Sequence, residues 1–165
     1  MRSDPDPAFI CGEVAHFGRF AAGHTWQLLS PTERSRFDDG FCDLAVDAVA
    51  RLQLAYPGLR LEFSHVLPAA QGMVMVVTTV TRPGEAAGWQ VDWQVATDNH
   101  RPGSDHLRLA DMRLLGLSLG IFLRSLASAD ISRDSASAEG ILVHWRRALD
   151  RTLPSHTEPT AVPPK

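Results

Sequence analysis

Met73–Thr81 reads MVMVVTTVT, with apolar side chains at odd and even positions alike. A strand with one face in water alternates, whereas one apolar on both sides belongs inside a sheet. Its β-branched content favours an extended conformation over a helix. PAAQG before it (68–72) and RPGEAAG after it (82–88) supply the glycines and prolines of tight turns.

The segments on either side have period two. LRLEFSHVL (59–67) sets Leu59, Leu61 and Phe63 on one face, against Arg60, Glu62 and Ser64. WQVDWQVAT (89–97) sets Trp89, Val91, Trp93 and Val95 against Gln90, Asp92 and Gln94. After the polar turn DNHRPGSD comes a fourth strand, HLRLADMRLLG, whose alternation slips near Ala110–Asp111 as at a bulge. Short turns between four strands predict an antiparallel meander, four-stranded or slightly larger, covered on one face by helices. The expected inner face collects Leu59, Leu61, Phe63, Met73, Met75, Val77, Trp89, Val91, Trp93 and Val95. On it, His65 reads as a hydrogen-bonded core histidine.

Helical periodicity frames the sheet. Ile10, Val14, Phe17 and Ala21 recur at helical spacing over 8–24. SPTERSRF then begins a helix, with Ser30 as N-cap, Pro31 in the first position and Glu33 completing a capping box. Its apolar stripe is expected to run through Phe37, Phe41, Leu44, Ala45, Ala48, Val49 and Leu52. The opposite face carries an Asp47–Arg51 pair. GLSLGIFLRSLASA and a helix from about Ser137 to Arg151 follow the sheet. The latter turns Ile141, Leu142, Trp145, Ala148 and Leu149 inward. The order predicts one α+β domain over 8–153, with a disordered, Pro-rich tail over 154–165.

The chain has 165 residues, 44% of them hydrophobic and 21% charged, and a net charge of −3. Fifteen of its 16 basic residues are Arg, and they form no basic run, which disfavours nucleic acid as a partner. Cys11 and Cys42 lie outside any CxxC motif, so they read either as a disulfide or, more plainly, as two buried free thiols. MRSDPDPAF holds no apolar h-region, so no signal peptide is expected in the chain. The seven histidines show no metal-ligand spacing, and GxSxG, P-loop and GxGxxG patterns are lacking, so no metal, cofactor or catalytic residue is assigned. Asp92 is the best candidate for a general base, but alternation places it among glutamines on a solvated face. The surplus is apolar: methionines and large aromatics suited to a flexible apolar ligand.

GLSLGIFLRS (116–125) is apolar on nearly every side and far shorter than the roughly 20 residues a membrane span needs. Gly116 suits a sharp exit from the last strand, and Ser118 a helix N-cap. The helix beyond is expected to be sandwiched between sheet and helices. Arg124, partly buried there, requires a carboxylate or carbonyl partner. Asp111 is the first expectation and Asp92 the second, making Arg124 an anchor of helix to sheet.

Three blocks resemble the MlaC-type, or toluene-tolerance, family of Gram-negative phospholipid-binding proteins. They are RFAAGHTWQLLSPTERSRFDDGF, WQVDWQV and, most specifically, LADMRLLGLSLGIFLRSLAS. In the third, Asp111, Gly116, Ser118, Leu119, Arg124 and Ser125 match the family pattern. The chain departs from it at Leu123, where the family often has Tyr. The resemblance implies a cone related to nuclear-transport-factor-like folds. It also implies a periplasmic carrier, not an enzyme, that encloses acyl chains. Its implied partners are an inner-membrane ABC transporter complex and an outer-membrane lipoprotein complex, in the service of outer-membrane lipid asymmetry. A hopanoid-associated branch of the family widens the implied ligand to other lipids. The expected tail-lining residues are Phe63, Met73, Met75, Trp89, Val91, Trp93, Ile121 and Phe122. A cone-fold enzyme acting on a small apolar substrate and an interaction domain with a filled core are the alternative readings.

Overall fold

Ser30 starts the longest helix as its sequence predicts: its hydroxyl accepts from Glu33 N at 3.2 Å, and Pro31 opens the first turn. In this computed structural model, which describes residues 7–85, 87–97, 107–128 and 137–153, the helices are α1 (Pro7–Ala22), α2 (His24–Leu28), α3 (Pro31–Ala55), α4 (Leu119–Ser128) and α5 (Ala138–Thr152). The strands are β1 (Arg60–Pro68), β2 (Met73–Thr81), β3 (Trp89–Thr97), β4 (Leu107–Leu114) and the two-residue β5 (Leu117–Ser118). They form one antiparallel sheet in the order β1-β2-β3-β4-β5, so the α+β meander expected from the turns is present with one short strand added. The tail expected over 154–165 lies outside the described residues.

The densest packing is among helices. Phe37, Ile141 and Trp145 are fully or almost fully buried, and the Phe37 and Phe41 rings each meet the Trp145 indole edge-on at 5.8 and 5.3 Å. Trp145 Nε1 donates to the Leu123 carbonyl at 2.8 Å, tying α5 to α4. Glu33 completes only half of the expected capping box. Its Oε1 accepts from Arg36, and its Oε2 reaches across to Ala138 N at the start of α5. Ser137 caps that same helix through Gly140 N at 3.0 Å.

Cys11 and Cys42 are joined in a disulfide linking α1 to α3, so the plainer reading of two free thiols does not hold. Beside it, Arg19 pairs with Asp38 across the same two helices. His16, one turn away on α1, is held below the ordinary histidine range by burial and by the neighbouring Arg108 and Arg19 guanidiniums.

The second half of α3 departs from its expected orientation. Arg51, expected on the charged outer face, is buried and bridges Asp47 on its own helix to Asp150 on α5. Val49 and Leu52, expected in the core, are 55% and 40% exposed. The ion pair against α5 fixes the roll of the helix, and the apolar stripe is left facing elsewhere.

Candidate functional site

The helices meet the sheet chiefly at β4 and β5, where α1 and α4 pack. Leu109 touches the helical core, and Asp111, 4% exposed, accepts from Gly120 N at 3.1 Å near the start of α4. Strands β1 to β3 extend beyond this contact. All nine residues of β1 are exposed, including Leu61 at 58% and Phe63 at 67%.

Pairing assigns the two faces of the sheet, because residues directly opposite each other in an antiparallel ladder project to the same side. On one face Leu61 lies opposite Val80, Phe63 opposite Thr78 and Val66 opposite Val76. There too Val80 is paired with Trp89, Thr78 with Val91 and Val76 with Trp93, while Met112 and Leu114 continue the row on β4. Among these paired residues Thr78 is the only polar one. That hydroxyl is satisfied twice: it donates to the Val91 carbonyl at 3.0 Å and accepts from Trp93 Nε1 at 2.8 Å.

The other face carries Met75 opposite Gln94, Val77 opposite Asp92, and the pairs Asp92–Arg113 and Gln94–Asp111. Gln90 donates to Asp92 there at 2.7 Å, and Gln94 Nε2 lies 3.4 Å from the Met73 sulfur. Two expectations about the inner face therefore need correction. Met73, Met75 and Val77 do not share a face with Trp89, Val91 and Trp93; Val76 and Val80 take their place. A strand apolar on both sides has no phase to read, and only its partners fix which side faces which.

His65 also leaves the expected face. The register shifts between Phe63 and His65, a bulge at Ser64, so His65 stands opposite Val77. It is exposed, with Nδ1 2.8 Å from the Ser64 hydroxyl, rather than a core histidine. The expected bulge near Ala110 is present, where the partners of Gln94 and Val95 skip from Asp111 to Leu109.

Helix α3 approaches the apolar face at one end. Arg82, just past β2, stacks between Tyr56 at 4.1 Å and Trp89 at 4.5 Å, and pairs with Glu85 at 3.3 Å. Ala45, Val49, Leu52 and Tyr56 recur at i, i+4, i+7 and i+11, one stripe of a helix. The uncovered Val49 and Leu52 thus lie on the side of α3 whose last member, Tyr56, touches the sheet clasp. A helix stripe with exposed Val49 and Leu52 and an apolar sheet face whose exposed members include Leu61, Phe63 and Val66 are joined at one end by Arg82.

At the opposite edge the sequence motif acts locally. Ser118 Oγ accepts from Ile121 N at 3.1 Å and caps α4, and Gly116 takes a positive φ of 81° in the turn after β4. Arg124 does not extend into solvent. Its Nη2 donates to the Phe20 carbonyl, and its guanidinium lies 4.8 Å from the Phe20 ring. These contacts anchor α4 to α1, where an anchor to the sheet through Asp111 or Asp92 was expected. Leu119, Leu123, Leu126 and Ala127 of α4 pack on the helical core. Ile121 and Phe122 fall on its other side, 62% and 53% exposed, so α4 is not sandwiched all round.

Of the eight expected lining residues, the structure brings together Phe63, Trp89, Val91 and Trp93, places Met73 and Met75 behind them, and sets Ile121 and Phe122 on the outer side of α4. Reading the sequence alone missed Val76 and Val80, and it missed the Arg82 clasp, for which no local signal exists.

A family model described as MlaC protein matches residues 12–147, most of the chain. A solved phospholipid-binding protein from Ralstonia solanacearum, in complex with a phospholipid, is similar over 84% of this chain and 73% of its own. The TM-score is 0.57 and the sequence identity 17%, a likeness of fold. No curated protein matches the chain.

Proposed function

The chain belongs to the MlaC family, and from that premise we propose that it binds phospholipid and carries it between membranes. The observation that carries the reading is a pair of apolar surfaces only partly covered by protein, the sheet face with exposed Phe63 and half-buried Trp89 and Trp93, and the α3 stripe with exposed Val49 and Leu52. Each acyl CH₂ kept from water is worth about 0.8 kcal/mol. A two-chain lipid therefore leaves a bilayer only for an enclosure of comparable apolarity. Acyl chains lying between α3 and the sheet would cover both surfaces at once, and Thr78 presents no unmet polar group to them. The bound phospholipid of the similar Ralstonia protein supports the same reading.

Transfer between two apolar surroundings is nearly neutral, so the protein works as a carrier rather than as an enzyme, and direction comes from what it docks to. Family membership supports an inner-membrane ABC transporter complex and an outer-membrane lipoprotein complex as donor and acceptor. The periplasm is the proposed location, and the Cys11–Cys42 disulfide supports it, since such bonds persist in oxidising compartments. Mass spectrometry of an organic extract of the gently purified protein tests the proposal. Phospholipid near one molecule per chain is expected, and a clean extract would overturn it.

A further inference from the structure

Strand β1 is an edge of the sheet, paired on one side with β2, and all nine of its residues are exposed. An edge strand presents a row of backbone N–H and C=O groups that another strand can pair with, and proteins blunt such edges with bulges and prolines. Here both devices lie in the second half, the bulge at Ser64 and Pro68 at the end. The first half, Arg60 to Phe63, pairs with β2 in unbroken register and holds Leu61 and Phe63 in water. Its charges are not engaged within the sheet: Arg60 stands opposite Thr81 and Glu62 opposite Thr79. Arg82 and Glu85, which border the same end of the strand, pair with each other.

A second copy of the same strand fits this half in one register. Two chains joined edge to edge by a two-fold axis lie antiparallel, and each residue stands opposite one that projects to the same face. Beyond the bulge the faces exchange: Leu61 and Phe63 project to the apolar face, whereas His65 and Leu67 project to the other, opposite Val77 and Met75. Axes at Phe63, Ser64 or His65 therefore set residues of unlike faces against each other. Axes at Val66 or Leu67 run into Pro68, which has no N–H to donate. Axes at Arg60 or Glu62 put like charges in direct opposition. An axis at Leu61 sets that leucine against its own copy, Leu59 against the partner's Phe63, and Arg60 against the partner's Glu62, twice over by symmetry. We propose that β1 is a self-association edge, through which two copies form an antiparallel, two-fold dimer centred on Leu61. The two five-stranded sheets become one, and the apolar face of each copy continues into the other through Leu61 and Phe63. The dimer does not depend on the lipid-carrier reading, and bound lipid does not enter its test.

The test is sedimentation equilibrium of the purified full chain, from about 5 µM to about 1 mM, since a contact of this length makes a weak, concentration-dependent dimer. A reversible monomer–dimer equilibrium is expected. Arg60→Glu and Glu62→Arg should each raise the dissociation constant about tenfold, because like charges then face each other across the axis. The two single variants mixed together should pair with each other, and the double variant Arg60→Glu, Glu62→Arg should recover wild-type association. Both positions are exposed, so every variant should keep the wild-type melting temperature, which separates lost pairing from lost folding. Wild-type protein that stays monomeric over the whole range overturns the proposal. So does a dimer that both single variants leave unchanged, which would place the contact elsewhere on the molecule. Failure of both the mixture and the double variant to restore association overturns it as well, because the register about Leu61 requires the rescue.

Discussion

The indole of Trp93 reaches diagonally across the sheet to Thr78, donating from Nε1 to the hydroxyl at 2.8 Å while Thr78 donates onward to the Val91 carbonyl. The only polar side chain among the paired β2–β3 residues of the apolar face is thereby consumed, and Thr78 and Val91 are buried, 5% and 7% exposed. Met75 sits on the same sheet but on the opposite face, across from Gln94.

This relationship predicts a face-specific response. Trp93→Glu would put a carboxylate among apolar groups, where an unpaired charge costs several kcal/mol. Lipid recovered from that variant should fall below detection. Met75→Glu, facing Gln94, should keep its lipid. Quantitative mass spectrometry of the two purified variants against wild type reads the difference. Loss from Met75→Glu with retention in Trp93→Glu would place the acyl chains on the wrong side of the sheet.

Much of this face was legible in the sequence, and the exceptions have specific causes. The period-two pattern of 89–97 and the turn residues around 68–72 and 82–88 were enough to order the meander. Ser30 and Ser118 announced their caps because a hydroxyl before an apolar run has few other local roles. The phase of Met73–Thr81 was not legible, since alternation carries no information where both sides are apolar. The bulge at Ser64, which turns His65 away from Phe63, has no distinctive local residue. Nor could the sequence of α3 show that Arg51 would be drawn inward, because its partner Asp150 is 99 residues distant. Periodicity assigned Val49 and Leu52 to a core; the structure leaves them exposed on the surface of α3.

The Cys11–Cys42 bond should contribute strongly to stability. It closes a separation of 31 residues between α1 and α3. Loop entropy in the unfolded chain then gives about 3–4 kcal/mol. Urea unfolding of a Cys11→Ala, Cys42→Ala double variant, or of wild type under reducing agent, should show a midpoint lowered accordingly. Coincident oxidised and reduced curves would mean that Arg19–Asp38 and the Phe17–Phe41 contact hold the two helices together alone.

Acidification should destabilise the fold through His16. Its folded pKa lies below the ordinary 6.5 because of burial, then Arg108, then Arg19, with Glu13 and Asp38 opposing. Above 6.5 the ring is neutral in both folded and unfolded chains and contributes no pH dependence. Below 6.5 the unfolded chain takes up the proton first, so stability falls as pH drops towards the folded value. His16→Gln should flatten this part of the curve, which melting temperatures measured from pH 7.5 down to about 5 would record. An unchanged slope in the variant would assign the acid sensitivity to other groups.

Arg82 should control how long lipid stays bound, rather than whether the protein folds. Its guanidinium stacks between Tyr56 at the end of α3 and Trp89 on the apolar face, and each such cation–π contact is worth about 0.5–2 kcal/mol. The helical core around Trp145 involves none of these residues, so Arg82→Met should melt close to wild type. Losing both stacking contacts would let α3 swing from the sheet more often. Release of a fluorescent phospholipid to excess acceptor vesicles should then accelerate by roughly tenfold, the rate equivalent of about 1.4 kcal/mol. Tyr56→Ala should accelerate it similarly, and the double variant by little more than either single one, because both remove the same contact. Additive effects would mean that Tyr56 and Arg82 act on the lipid site separately, and that α3 is held in place by something other than this clasp.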